Sequence, residues 1–158
     1  MFNRQDSIFP FSSAEDKQIV VFKQIINEYI AQGDDVHYAD LRNKDSKFAG
    51  IMWPCELYSN NEEMEYFFYR LSRLCKNRLM KIDTSGEVNF NRTFFIISDL
   101  SQASSNVMNN ISHVKRTLLH TLRKVNVVLI IPDTDDIVSQ EYPKLSDLIV
   151  EFKRPNSY

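Results

Sequence analysis

Two uninterrupted apolar runs, Phe94-Phe95-Ile96-Ile97 and Val127-Val128-Leu129-Ile130-Ile131, constrain this chain more than any other feature. A strand with one face in water alternates apolar and polar side chains, whereas an unbroken aromatic and β-branched run of strand length has to be covered on both faces. Each run ends in polar residues, Ser98-Asp99 and Pro132-Asp133. Strands of this kind belong at the centre of a mostly parallel sheet, and parallel neighbours need crossover connections. The segments between them have the right patterns to be those crossovers.

From Lys17 to Gln32 the positions Ile19, Phe22, Ile26, Tyr29 and Ile30 fall at helical spacing, and Val20, Val21 and Ile25 widen the stripe, so this helix is expected to be buried on more than one side. Gly33 suits its C′ position, Asp34-Asp35 a turn, and Val36 to Leu41 a short strand. Arg42 to Lys47 reads as charged loop and Gly50 to Trp53 as a second short strand or extended segment stopped by Pro54. Ser59-Asn60-Asn61-Glu62 has capping-box spacing and opens a helix to about Met80, with Arg70, Arg73, Lys76 and Asn77 opposite the apolar stripe. Asp83 to Asn91 reads as loop, Ser104 to Lys124 as a third helix, and Leu148 to Phe152 as a last strand. The expected architecture is α/β, a three-layer sandwich with helices on both faces of the sheet.

At 158 residues the chain has the size of one domain spanning 1–158. Three glycines weigh against functions that rest on glycine-rich loops, and a net charge of −2 from 19 basic and 21 acidic residues excludes a polycationic nucleic-acid binder by composition. A local basic face stays open, chiefly His113, Arg116, His120 and Arg123 with Lys115 and Lys124 beside them, although the same spacing describes a solvated helix side. Cys55 and Cys75 have no second pair, so reduced thiols in a cytosolic domain are expected, with no metal site and no cofactor. Asp133-Thr134-Asp135-Asp136 lacks the glycine and distal glutamate of a calcium loop and reads as a turn.

The order of elements resembles the core of a RecA-like P-loop NTPase, which places its phosphate loop directly before the first helix. Residues 11–18 there read Phe-Ser-Ser-Ala-Glu-Asp-Lys-Gln. Against G-x-x-x-x-G-K-[ST], Lys17 matches, while Phe11 and Asp16 replace the glycines and Gln18 the hydroxyl residue. A carboxylate about 4 Å from a phosphate charge is repelled by roughly 4 kcal/mol at an effective dielectric of about 20, so Glu15 and Asp16 argue against nucleotide binding. The segment also reads as an ordinary helix start, with Ser12 or Ser13 as N-cap. Asp99 takes the place of a Walker B aspartate, followed by Leu100 instead of a glutamate, so no general base is nominated. Lys17 and Asp99 are therefore expected to be vestiges of a nucleotide site, although a strand-end turn residue is the favoured role of Asp99.

The extended segment and polar turn Cys55 to Met64, leading into a helix that closes Cys75-Lys76-Asn77-Arg78-Leu79, is similar to the FtsK/SpoIIIE and HerA group of motor ATPases. Within that group the chain looks most like the degenerate C-terminal ATPase domain of type VII secretion EssC/EccC proteins. That resemblance implies a catalytically silent domain, a fragment of a longer multi-domain chain. Its implied partners are neighbouring ATPase domains of the same chain and secreted protein substrates. It implies contact with a membrane only through other parts of the parent chain. No nucleic-acid partner is expected, because the sequence is slightly acidic, its basic residues are spread over two helices and no aromatic-rich β face of the stacking kind is evident. The segment Tyr142 to Phe152 keeps a second resemblance open, to a degenerate RecA/Rad51-paralogue accessory of DNA recombination. With no phosphate site to explain why such a fold persists, an apolar surface contact is expected, with Trp53, Phe9 and Phe11 at its rim and Trp53 reading also as a core or edge residue.

Overall fold

A computed structural model of the chain describes residues 15–42, 51–117, 119–131 and 149–151. The elements run α1 (Glu15–Ala31), β1 (Asp35–Ala39), β2 (Leu57–Tyr58), α2 (Asn61–Ser85), β3 (Thr93–Ile97), α3 (Ser105–Thr117), α4 (Leu119–Lys124), β4 (Val127–Ile131) and β5 (Ile149–Glu151). The five strands form one sheet in the order β2-β1-β3-β4-β5, with every neighbouring pair parallel. This order is one of the two common ones of doubly wound sheets.

Both apolar runs are buried at every position, as two-sided coverage requires. Their side chains alternate between two cores. Phe94, Ile96, Val128 and Ile130 join Phe22, Ile25, Ile26 and Tyr29 of α1 on one face. Phe95, Ile97, Leu129 and Ile131 join α2, α3 and α4 on the other. Tyr29 stacks on Phe94 at the start of β3, centroids 3.8 Å apart, and Phe22 lies 5.8 Å from Tyr38 near the end of β1. α1 therefore runs from the carboxyl end of the sheet to its amino end.

Several expectations need correction. α1 is buried on one side only: Val20 is 64% and Ile30 38% exposed, because α1 is the one helix on its face among the described residues and its outer side meets solvent. Residues 51–53 are irregular, and the edge strand is Leu57–Tyr58, in register with Tyr38 and Ala39. The helix after it is capped one residue later than expected. The Asn60 side chain accepts the Glu63 N–H at 2.8 Å, and Glu63 Oε1 accepts from the Ser59 N–H and hydroxyl. That helix also continues past Met80 to Ser85, since nothing before Gly86 breaks it. Gly86 adopts φ +71° and its N–H closes on the Ile82 carbonyl. Of the third expected helix, the described residues Ser105–Thr117 (α3) and Leu119–Lys124 (α4) are helical as expected. Gly33, at φ +87°, ends α1 as expected.

Arg78 is a surprise in α2. Its guanidinium is buried and donates to the Val125 carbonyl at 2.8 Å and to the Thr93 hydroxyl at 3.0 Å, tying the helix to the starts of β3 and β4.

Candidate functional site

Strand order reverses direction between β1 and β3, and in doubly wound sheets the crevice outside the carboxyl ends at that switch point is where ligands bind. The register Tyr38↔Ile96 and Ala39↔Ile97 brings the next residues of the two strands, Asp40 and Ser98, side by side. Both are buried. Backbone bonds carry the pairing past the strands, from the Ser98 N–H to the Ala39 carbonyl and from the Leu41 N–H to the Asp99 carbonyl, each 2.9 Å.

The Asp40 carboxylate is enclosed by its own chain. Arg42 Nε lies 3.0 Å from both carboxylate oxygens, Arg42 Nη2 3.0 Å from Oδ2, and the Arg42 backbone N–H 3.1 Å from Oδ1. The Ser98 hydroxyl also contacts the Asp40 carboxylate and lies 3.2 Å from the Ala39 carbonyl, so its single proton is shared between them. Ser98 in turn accepts from the Tyr38 hydroxyl at 2.8 Å. Burial raises the Asp40 pKa, and the Arg42 and Ser98 contacts oppose it. Burial also pushes the Tyr38 phenol well above its ordinary range, so it keeps its proton and is the hydrogen-bond donor to Ser98.

Asp99 stands just beyond β3, where its Oδ1 accepts the Ser101 N–H at 2.8 Å and the Ser101 hydroxyl. It caps its own turn, and its other oxygen lies 4.0 Å from Arg42 Nε. Lys17 falls in the first turn of α1, and the direction of α1 puts that turn at the same end of the sheet as Asp40 and Asp99. The two expected vestiges thus share one end of the fold. Trp53 is half-buried against the α1 core, its ring 4.7 Å from Tyr38 and under the Lys23 ammonium at 5.9 Å. Phe9 and Phe11 lie outside the described residues, as do residues 133–136.

A second polar cluster occupies the β2 edge on the opposite face. His37 stacks on Phe95 at 4.4 Å, and its Nδ1 lies 3.1 Å from the Tyr58 hydroxyl. Arg70 donates to Glu56 at 2.6 Å and to the Tyr58 hydroxyl. Burial first, and then the charge of Arg70, lower the His37 pKa, leaving the ring neutral near pH 7. Burial raises Tyr58 despite the Arg70 contact. The thiols of Cys55 and Cys75 are both pushed up to about 12 by burial, which makes them poor nucleophiles.

Sequence reasoning reached Asp99 and missed its neighbours. Arg42 looked like loop charge and Ser98 like a strand terminus. A usable signal was present in two strands that each run into an aspartate, Tyr38-Ala39-Asp40 and Ile97-Ser98-Asp99, but it needs knowledge that those strands are adjacent.

Among the described residues no cluster of three or more His, Cys, Asp or Glu is arranged to hold a metal ion, and no helix is long and apolar enough to cross a membrane. No family model, curated protein or solved structure matches the chain.

Proposed function

We propose that this chain is a catalytically silent, ATPase-like domain of a type VII secretion motor, which works by binding neighbouring ATPase domains or secreted protein substrates. On this reading its layered sheet is a RecA-like core. The shared placement of the α1 start and Asp99 at one sheet end is compatible with that descent. The observation that carries the reading is the Arg42 guanidinium seated on Asp40 in the switch-point crevice.

A working nucleotide site presents strand-end carboxylates to Mg²⁺ and leaves donors free for phosphate oxygens. Here one carboxylate is held by a cation from its own chain and the other caps a turn. Coordinating Mg²⁺ through Asp40 would require breaking a buried ion pair, at a cost of several kcal/mol. Leu100 follows Asp99 where a base would stand. These residues do not fit a Mg-nucleotide complex, and no hydrolytic step is assigned to them.

Calorimetry with Mg-ATP and Mg-ADP tests the silent half of the proposal. No heat is expected at micromolar concentrations, and a Kd below about 10 μM, near −7 kcal/mol, overturns it. A pull-down with the domain as bait tests the partner half. Recovery of an ATPase domain or a secreted helical protein supports it, and recovery of neither overturns it.

A further inference from the structure

Charge is segregated along this chain in a way the net value conceals. Residues 66–82 and 100–132 contain none of the 21 acidic residues but nine of the 19 Lys and Arg. Folding lays these segments together, since α2, α3 and α4 pack on the same face of the sheet. Arg70, Arg73, Lys76 and Lys81 of α2 and Arg116 of α3 are all exposed. At 3.6 residues per turn Arg73 and Lys76 fall beside Tyr69, which is 55% exposed, on one side of α2, whereas Arg70 turns to the β2 edge, where it pairs with Glu56.

Between α2 and α3 runs an open groove of about 520 Å³. Phe68, Tyr69 and Ser72 line one wall, and Asn106, Asn109 and Asn110 the other. Glu65 stands at its amino-terminal end.

We infer that this face docks an acidic amphipathic helix of a partner protein. The inference deepens the binding-module reading and rests on it. Two packed helices leave a furrow in which a third helix can lie about 8–10 Å from each axis. Tyr69 offers apolar contact to the inner side of such a helix, over a floor of the buried Phe68, and the short amides and hydroxyl of the walls allow close approach. Arg73 and Lys76 on one bank and Arg116 on the other then meet acidic side chains on its flanks. Glu65 decides between two anionic occupants. A phosphodiester strand would carry like charge past this carboxylate, whereas a protein helix can set a lysine or arginine over it.

The test uses the whole chain and three labelled probes: an amphipathic peptide of about 18 residues, roughly 27 Å as a helix, with Leu on one side and Glu on its flanks; its twin with Lys for Glu; and an oligothymidylate of about 18 nucleotides. Anisotropy is expected to show the Glu peptide binding at least about tenfold tighter than either other probe, and weakening severalfold between about 50 and 200 mM salt. Amide shifts on binding are expected along residues 66–81 and 106–116. The triple variant Arg73→Glu, Lys76→Glu, Arg116→Glu changes only exposed side chains and is expected to lose at least about tenfold in affinity with an unchanged Tm. Equal affinities for the two peptides, shifts elsewhere, or undiminished binding by the triple variant overturn the inference. Tighter binding of the oligonucleotide also overturns it and assigns the face to nucleic acid. Nucleotide calorimetry reads the switch-point crevice alone, so failure of that proposal and failure of this one are separate results.

Discussion

Two arginine–carboxylate pairs stand at neighbouring strands of this sheet, and they differ mainly in what surrounds them. Asp40 and Arg42 have side chains 3% and 10% exposed, and Glu56 and Arg70 have side chains 59% and 44% exposed. Each pair is linked to a tyrosine, Tyr38 through Ser98 in the first and Tyr58 directly in the second. The exposed pair has the shorter contact, 2.6 Å against 3.0 Å. Distance therefore does not rank them. In solvent the attraction is screened and each partner keeps water as an alternative, whereas an ion left alone in the interior has none.

The largest consequence follows from breaking the buried pair. Arg42→Met leaves the Asp40 carboxylate without its cation and is expected to cost about 3–5 kcal/mol in urea unfolding. A loss below about 1 kcal/mol would mean that water reaches Asp40 and that the crevice is open to ligands. Trp53→Ala, on the same side of the sheet, removes a half-buried ring from Tyr38 and is expected to cost about 2 kcal/mol, less than a fully buried tryptophan would. If it leaves stability unchanged but abolishes partner capture, Trp53 is an anchor instead of a core residue.

A third pair of effects separates the two regions by sign. The Asp40 pKa is raised, so the folded state holds that proton more tightly than the unfolded chain does. Its contribution to stability falls as pH climbs from about 4 and levels off above the folded-state value. In Asp40→Asn that slope is removed, so the stability of the variant relative to the parent is expected to rise with pH across the window. His37 runs the other way. Its lowered pKa means the folded state favours the neutral ring, and stability is lost as pH falls below about 6.5. His37→Gln is expected to flatten that acid-side loss. Paired unfolding curves from pH 4 to 8 check both signs, and slopes of the same sign would remove the contrast.

The smallest effect belongs to the exposed pair. Arg70→Met is expected to change stability by less than about 1 kcal/mol, with the difference shrinking further in high salt. A larger, salt-resistant loss would show that Tyr58, buried at the sheet edge, depends on Arg70 as Asp40 does on Arg42.

The sequence by itself determined the central strands, because a continuous apolar run of strand length has one stable environment, covered on both faces. It also determined α1 and the approximate place of each later helix, since periodicity and cap residues are local properties. Where local signals were degenerate the tertiary structure decided. Both Ser59-x-x-Glu62 and Asn60-x-x-Glu63 have capping spacing, and the observed N-cap is Asn60. The site was legible only as single residues. Asp99 could be picked out as a strand-end acid, but Asp40, Arg42 and Ser98 belong together because β1 and β3 are parallel neighbours in matched register, with Asp40 and Ser98 58 residues apart in the chain. The basic layer shows the same division. Its cations are plain in the sequence, but a face exists only once packing sets α2 beside α3, and a net charge summed over the chain cannot register that arrangement.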